Sequence, residues 1–183
     1  ICEGQQYDID FESSTTVAIS DYLMMIEKKT ALLLAYSLRI GAYIAGASEQ
    51  EQDALFQYGR HIGIAFQIQD DVLDVYGDPS NFGKAIGGDI CCNKKTFLLL
   101  TALDIADAES KASLLQWLIT SNKNAEKIQA VTALYTQLGV REIGEAVMED
   151  HTAQALAQLE LLPQNDYTNQ LRVLAEKLAT RKR

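Results

Sequence analysis

The chain has 183 residues, 48% of them apolar and 22% charged, with a formal net charge of -9. That length buries a true core without disulfide or metal staples, and the composition argues against a disordered chain. The acidic balance and the lack of a basic stripe with interleaved aromatics argue against nucleic acid as a partner, whereas a phosphorylated small molecule stays open because local charge dominates within about 8 Å.

From the amino end, Gly4-Gln5-Gln6-Tyr7-Asp8 leads into the polar stretch Glu12-Ser13-Ser14-Thr15-Thr16, whose hydroxyls are suited to cap a helix just beyond them. That helix is predicted from Val17 to about Ala47. Its apolar residues, among them Tyr22, Met25, Ile26, Leu33, Leu34, Leu38, Tyr43 and Ile44, cover so much of the circumference that burial by several neighbours is expected. A second helix is predicted from about Gln50 to Tyr76, with Gly59 and Gly63 at i, i+4. Glycine costs about 1 kcal/mol against alanine in a helix, so the pair suggests close approach of a neighbour. Residues Gly77 to Asn93 read as a loop rich in Gly, Asp, Asn and Ser. Helix resumes from Lys94 to about Ala106, and further amphipathic segments lie near 109–121, 124–138, 139–161 and 164–181.

With two prolines and an Ala, Leu, Gln, Glu and Lys-rich composition, the fold class expected is all-α, a single helical domain over 1–183 with no β-sheet. The three cysteines, Cys2 and the pair Cys91-Cys92, offer no zinc spacing and no disulfide framework, which points to a reducing, cytoplasmic compartment. No apolar run approaches the roughly 18 to 20 residues of a membrane span. The chain begins at Ile1 within what reads as structured sequence, so an upstream portion is expected to be missing.

The carboxyl end of the second helix carries Asp70-Asp71-Val72-Leu73-Asp74. Spacings of i, i+3 and i, i+4 place all three carboxylates on one arc, with no lysine or arginine in the same turn to relieve their repulsion. Such a run alone is most often a solvated helix face. Its flanks, Ile62, Ile64, Phe66, Ile68, Val72, Val75 and Tyr76, are apolar, so here the acids are expected to face a cavity and to need a cation. A hard divalent ion meets that need, since magnesium binds through one or two carboxylates, waters and phosphate oxygens.

The stretch Phe66-Gln67-Ile68-Gln69-Asp70-Asp71-Val72-Leu73-Asp74-Val75-Tyr76-Gly77-Asp78 is succeeded by Phe82-Gly83-Lys84, Gly87-Gly88-Asp89-Ile90 and Asn93-Lys94-Lys95-Thr96. With Gly4-Gln5, Asp8 and Lys29-Thr30 upstream, it resembles the carboxyl-terminal half of a trans-isoprenyl diphosphate synthase, the family of farnesyl and geranylgeranyl diphosphate synthases. The ordered motifs span residues 1 to about 100.

The resemblance implies the isoprenoid synthase helical bundle. It further implies magnesium, with manganese as a substitute, held at Asp70, Asp71 and Asp74. Lys29, Lys84 and Lys94 would contact the substrate diphosphate, and Lys29, Thr30 and Gln67 would stand beside the reacting carbon. The implied substrates are an allylic diphosphate and isopentenyl diphosphate, joined by ionisation, condensation and proton loss. A homodimer is implied for the intact enzyme.

On their own, Lys29 reads as a snorkelling lysine, Gln67 as an interior amide and the Lys84 region as a surface loop. The tail Arg181-Lys182-Arg183 reads as a frayed helix end, and His61 and His151 stand alone in the sequence. The family's first aspartate-rich motif has no counterpart here, so this polypeptide by itself is expected not to turn over substrate. Two other classes remain open: a non-catalytic subunit of a prenyl synthase and, more remotely, a class I terpene cyclase.

Overall fold

The structure, a computed structural model, describes residues 1–78, 86–120 and 125–180. Every regular element among them is helical: α1 (Cys2–Ser13), α2 (Ile19–Ile26), a π turn (Glu27–Ala31), α3 (Leu32–Ile44), α4 (Glu49–Tyr76), α5 (Gly88–Cys91), α6 (Phe97–Ile105), α7 (Ala108–Ile119), α8 (Ala125–Gln137), α9 (Val140–Leu159) and α10 (Asp166–Ala179).

Local chemistry sets most of the starts. Ser48 and Glu51 form a capping box at α4, in which the Ser48 hydroxyl accepts the Glu51 amide and the Glu51 carboxylate accepts the Ser48 amide. Thr96, Asp107 and Asn165 cap α6, α7 and α10 in the same sense. The predicted hydroxyl cap of the second helix is not what forms. Residues 12 and 13 end α1, and α2 starts with the Asp21 carboxylate accepting the Ala18 amide at 3.0 Å.

The 28-residue α4 is the central strut, with α3 on one side and α9 on the other. A core of Tyr22, Met25, Ile26, Ile64, Ile68, Val72, Phe97, Leu98, Leu114, Tyr135 and Val140 surrounds its second half. A smaller cluster of Ala54, Tyr58, Ile62, Ala155, Leu159 and Ala175 closes its first half against α9 and α10, where the Tyr58 hydroxyl donates to the Leu171 carbonyl at 2.7 Å.

The predicted Val17–Ala47 helix is two helices joined by the π turn, and α3 is not buried all round. Ala35 and Ala42 face inward, while Leu33, Tyr36, Ile40, Tyr43 and Ile44 are between 51% and 79% exposed. The physical reason is the contact with α4, which is made of small residues: a Cβ added at Gly59 would lie 2.8 Å from Ala35 Cα, and one at Gly63 would lie 2.7 Å from Ala31 Cβ. Backbones this close leave the large α3 side chains on the far face.

His61 of α4 and His151 of α9 do not stand alone either. Their Nδ1 atoms are 2.9 Å apart, which requires one ring to donate and the other to accept. Burial pushes His61 down to about 4, helped by His151 and Arg60, and burial also lowers His151. Both rings are therefore neutral at pH 7 and serve as a polar bolt between α4 and α9.

Candidate active site

The site is built around the π turn, whose consecutive side chains reach different neighbours. Glu27 takes a two-pronged bond from Arg60 of α4, at 2.8 Å to Nε and 2.7 Å to Nη2. Lys28 turns outward to Glu3 at 2.8 Å and lies over the Tyr7 ring. Lys29 pairs with Asp8 of α1 at 2.6 Å, and the Thr30 hydroxyl donates to Gln67 Oε1 at 3.2 Å. An α-helical continuation would not present these residues in this order, because the wider turn shifts the phase of every residue after it. Gly4 lets α1 lie directly on the turn: a Cβ there would come 2.7 Å from Lys29 Cα.

The three aspartates of the arc meet different surroundings. Asp71 is 3% exposed and turned inward, where its Oδ2 accepts the Tyr22 hydroxyl at 2.6 Å and the Phe97 amide at 3.0 Å. Its Oδ1 is 3.4 Å from Gln67 Nε2. At about 100° per residue Asp74 lies about 40° from Asp70 and about 60° from Asp71, so the run covers an arc of about 100° with Asp71 at its inward edge. Burial pushes the Asp71 carboxyl up to about 6, against the lowering effect of Tyr22 and Phe97. Burial also raises Asp74, whose Oδ2 accepts the Asp89 amide at 3.0 Å and whose neighbours Asp89 and Asp70 add like charge.

Lys94 is the cation that both Asp71 and Asp74 feel. Its Nζ is 3.4 Å from Asp89 Oδ1; burial pulls its proton affinity down, but Asp89, Asp71 and Asp8 together hold it above the usual lysine value. Lys29, Thr30, Gln67, Asp71, Asp74, Asp89 and Lys94 thus fall within one electrostatic neighbourhood. Lys84 and the tail Arg181-Lys182-Arg183 lie outside the described residues.

Among the described residues no three His, Cys, Asp or Glu side chains converge closely enough to hold a metal by themselves. The donor set nonetheless fits a hard cation. Asp70 and Asp74 offer hard carboxylate oxygens at the carboxyl end of α4, and magnesium habitually takes the rest of its octahedron from water and phosphate.

The polyprenyl synthetase family model matches residues 1–136. The chain is 38% identical over 176 residues to a short chain isoprenyl diphosphate synthase of Methanothermobacter thermautotrophicus, covering 96% of this chain and 54% of that protein. It is 34% identical over 182 residues to a geranylfarnesyl diphosphate synthase of Natronomonas pharaonis, covering 99% and 51%. A Corynebacterium glutamicum geranylgeranyl pyrophosphate synthase, solved in complex with isoprenyl diphosphate and magnesium, superposes with a TM-score of 0.90 at 35% identity over 100% of this chain and 52% of that one. The chain belongs to the polyprenyl synthetase family, and it spans about half the length of the curated relatives it matches.

Sequence reasoning did not mark Tyr22 as a partner of the acidic run. Tyr22 is 49 positions from its partner Asp71, and only the burial of both reveals the bond.

Proposed function

We propose that this chain carries the second acidic half of a trans-prenyltransferase site, which condenses an allylic diphosphate with isopentenyl diphosphate to a longer prenyl diphosphate. The observation that carries this reading is the junction of the π turn with α4, where Thr30, next to Lys29, bonds Gln67, and Gln67 in turn contacts Asp71 of the acidic run. Asp70 and Asp74 hold magnesium, or manganese in its place, and Asp71 adds charge from behind. Magnesium, when bound, offsets charge growing on the departing diphosphate. The ligands named for the Corynebacterium relative support that choice.

Lys29 and Lys94, with Lys84, bind the diphosphate oxygens. Gln67 is oriented by two bonds: its amide nitrogen faces Asp71, so its carbonyl oxygen faces Thr30 and an allylic cation forming there. Diphosphate itself takes the proton lost at the end, so no histidine base is required. Titrating the chain calorimetrically with geranyl diphosphate in magnesium should give a binding signal that Asp70→Ala and Lys29→Ala each weaken tenfold or more, about 1.4 kcal/mol. Equal binding by both variants and the parent would overturn the assignment.

The exposed stripe Leu33, Tyr36, Ile40, Tyr43 and Ile44 supports a homodimer assembled through α3. Sedimentation of Ile40→Glu should then show a monomer where the parent chain is dimeric; a parent that sediments as a monomer at tens of micromolar sinks the dimer. Among the described residues no helix is long and apolar enough to cross a membrane. Three free cysteines favour the cytoplasm as its place.

A further inference from the structure

Lys127, on the first turn of α8, is 1% exposed. An ammonium in the core costs several kcal/mol unless it is well bonded, and methionine or leucine would fill the same space without that cost. Its Nζ donates to Asn93 Oδ1 at 2.5 Å, and Asn93 Nδ2 donates to the Leu118 carbonyl at the end of α7 at 2.8 Å. Asn93 has φ of 55°, the one positive value at a non-glycine among the described residues. The other left-handed residue bounding α5 is Gly87, at φ of 79°, and a Cβ added there would lie 2.7 Å from Cγ2 of Ile128. Two successive residues of α8 thus seat both ends of the short segment that carries Asp89 and Lys94.

We infer that Lys127 is a positioning residue for diphosphate binding: by holding Asn93 in its left-handed conformation from beneath, it aims Lys94 and Asp89 at the acidic end of α4. This rests on the diphosphate reading above. Neither Lys127 nor Asn93 need touch the ligand. The backbone leaving Asn93 enters Lys94 directly, and the Lys94 amide bonds back to the Asp89 carbonyl at 3.0 Å, so a change of φ at Asn93 swings both side chains.

The test is calorimetry of this chain with inorganic diphosphate in magnesium, alongside thermal melting. Lys127→Met should melt at or above the parent temperature, since it removes a buried charge, yet bind diphosphate at least tenfold more weakly. Asn93→Gly keeps the left-handed backbone accessible and keeps the Lys127 charge. It should melt lower, because the buried ammonium loses the Asn93 bond, and should bind as weakly as Lys127→Met. The double variant should recover the melting temperature but not the affinity, and should bind no worse than either single change. A merely structural lysine would let affinity track stability instead.

Binding within twofold of the parent in Asn93→Gly overturns the inference, even if Lys127→Met is weak, for the lysine would then act through its charge alone. If Lys127→Met fails to fold, Asn93→Gly decides by the same criterion. A parent chain that binds no diphosphate, or binds it equally after Asp70→Ala, removes the diphosphate reading and this inference with it. Parent binding that depends on Asp70 and ignores Asn93 removes this inference alone.

Discussion

Tyr22→Phe is expected to destabilise the chain by about 2 to 3 kcal/mol at pH 7, read as a fall in the urea midpoint at unchanged slope. The substitution deletes one hydroxyl and leaves no cavity. What it removes is the 2.6 Å bond to Asp71, a carboxylate buried at 3% exposure that is left with the Phe97 amide and the long contact to Gln67. Bonds to a charged group in the core carry about 1.5 to 3 kcal/mol, against about 1 kcal/mol for neutral pairs. The coupling is therefore testable as a cycle. In an Asp71→Asn background the same Tyr22→Phe change should cost no more than about 1 kcal/mol. Equal costs in the two backgrounds would show that the tyrosine acts through its ring packing, 6.2 Å from that of Phe97, and not through the acid.

The bond also bears on how the acidic run is read. Sequence spacing alone cannot separate a carboxylate that faces a ligand from one that faces the core, because i, i+3 and i, i+4 describe neighbours on a cylinder without saying which side is wet. The apolar flanks of Asp70, Asp71 and Asp74 did place the run on a buried helix. They could not show that Asp71 is the residue turned into the core, since the two donors on its Oδ2 come from 49 residues upstream and 26 residues downstream. The His61 and His151 pair is 90 residues apart and was equally invisible for that reason.

Lys127 hides differently. On an amphipathic helix a lysine reads as solvated, and nothing in α8 itself reports that Asn93 turns its carbonyl oxygen toward it. The end of α4 was legible because it rests on local chemistry, the Gly, Asp and Asn-rich stretch that starts at Gly77 directly after Tyr76. The π turn was not. Its side chains are held by tertiary partners, Arg60 on Glu27, Asp8 on Lys29 and Gln67 on Thr30, none of them within the same stretch of sequence.

The spacing of Gly59 and Gly63 does carry a tertiary message in the sequence, and it sets the sharpest expectation for a single methyl group. Gly63→Ala should destabilise by about 3 kcal/mol or more, because the new Cβ would overlap Ala31 Cα and lie 2.7 Å from Ala31 Cβ, with backbone on the far side that cannot move as a side chain can. That penalty outweighs the gain of about 1 kcal/mol that alanine brings to a helix interior. Gly41→Ala in α3 should do the opposite and stabilise by about 0.5 to 1 kcal/mol, since a Cβ there meets nothing within 4 Å.

Denaturation of the two variants side by side separates packing from propensity, and equal shifts in one direction would refute the close-approach account. The consequence reaches the site as well. Ala31 closes the π turn, and Thr30 beside it is only 3.2 Å from Gln67, so opening the α3 and α4 contact by the few tenths of an ångström needed to admit a methyl group stretches that bond past useful length. Glycine at 63 therefore fixes the distance between Thr30 of the π turn and Gln67 of α4.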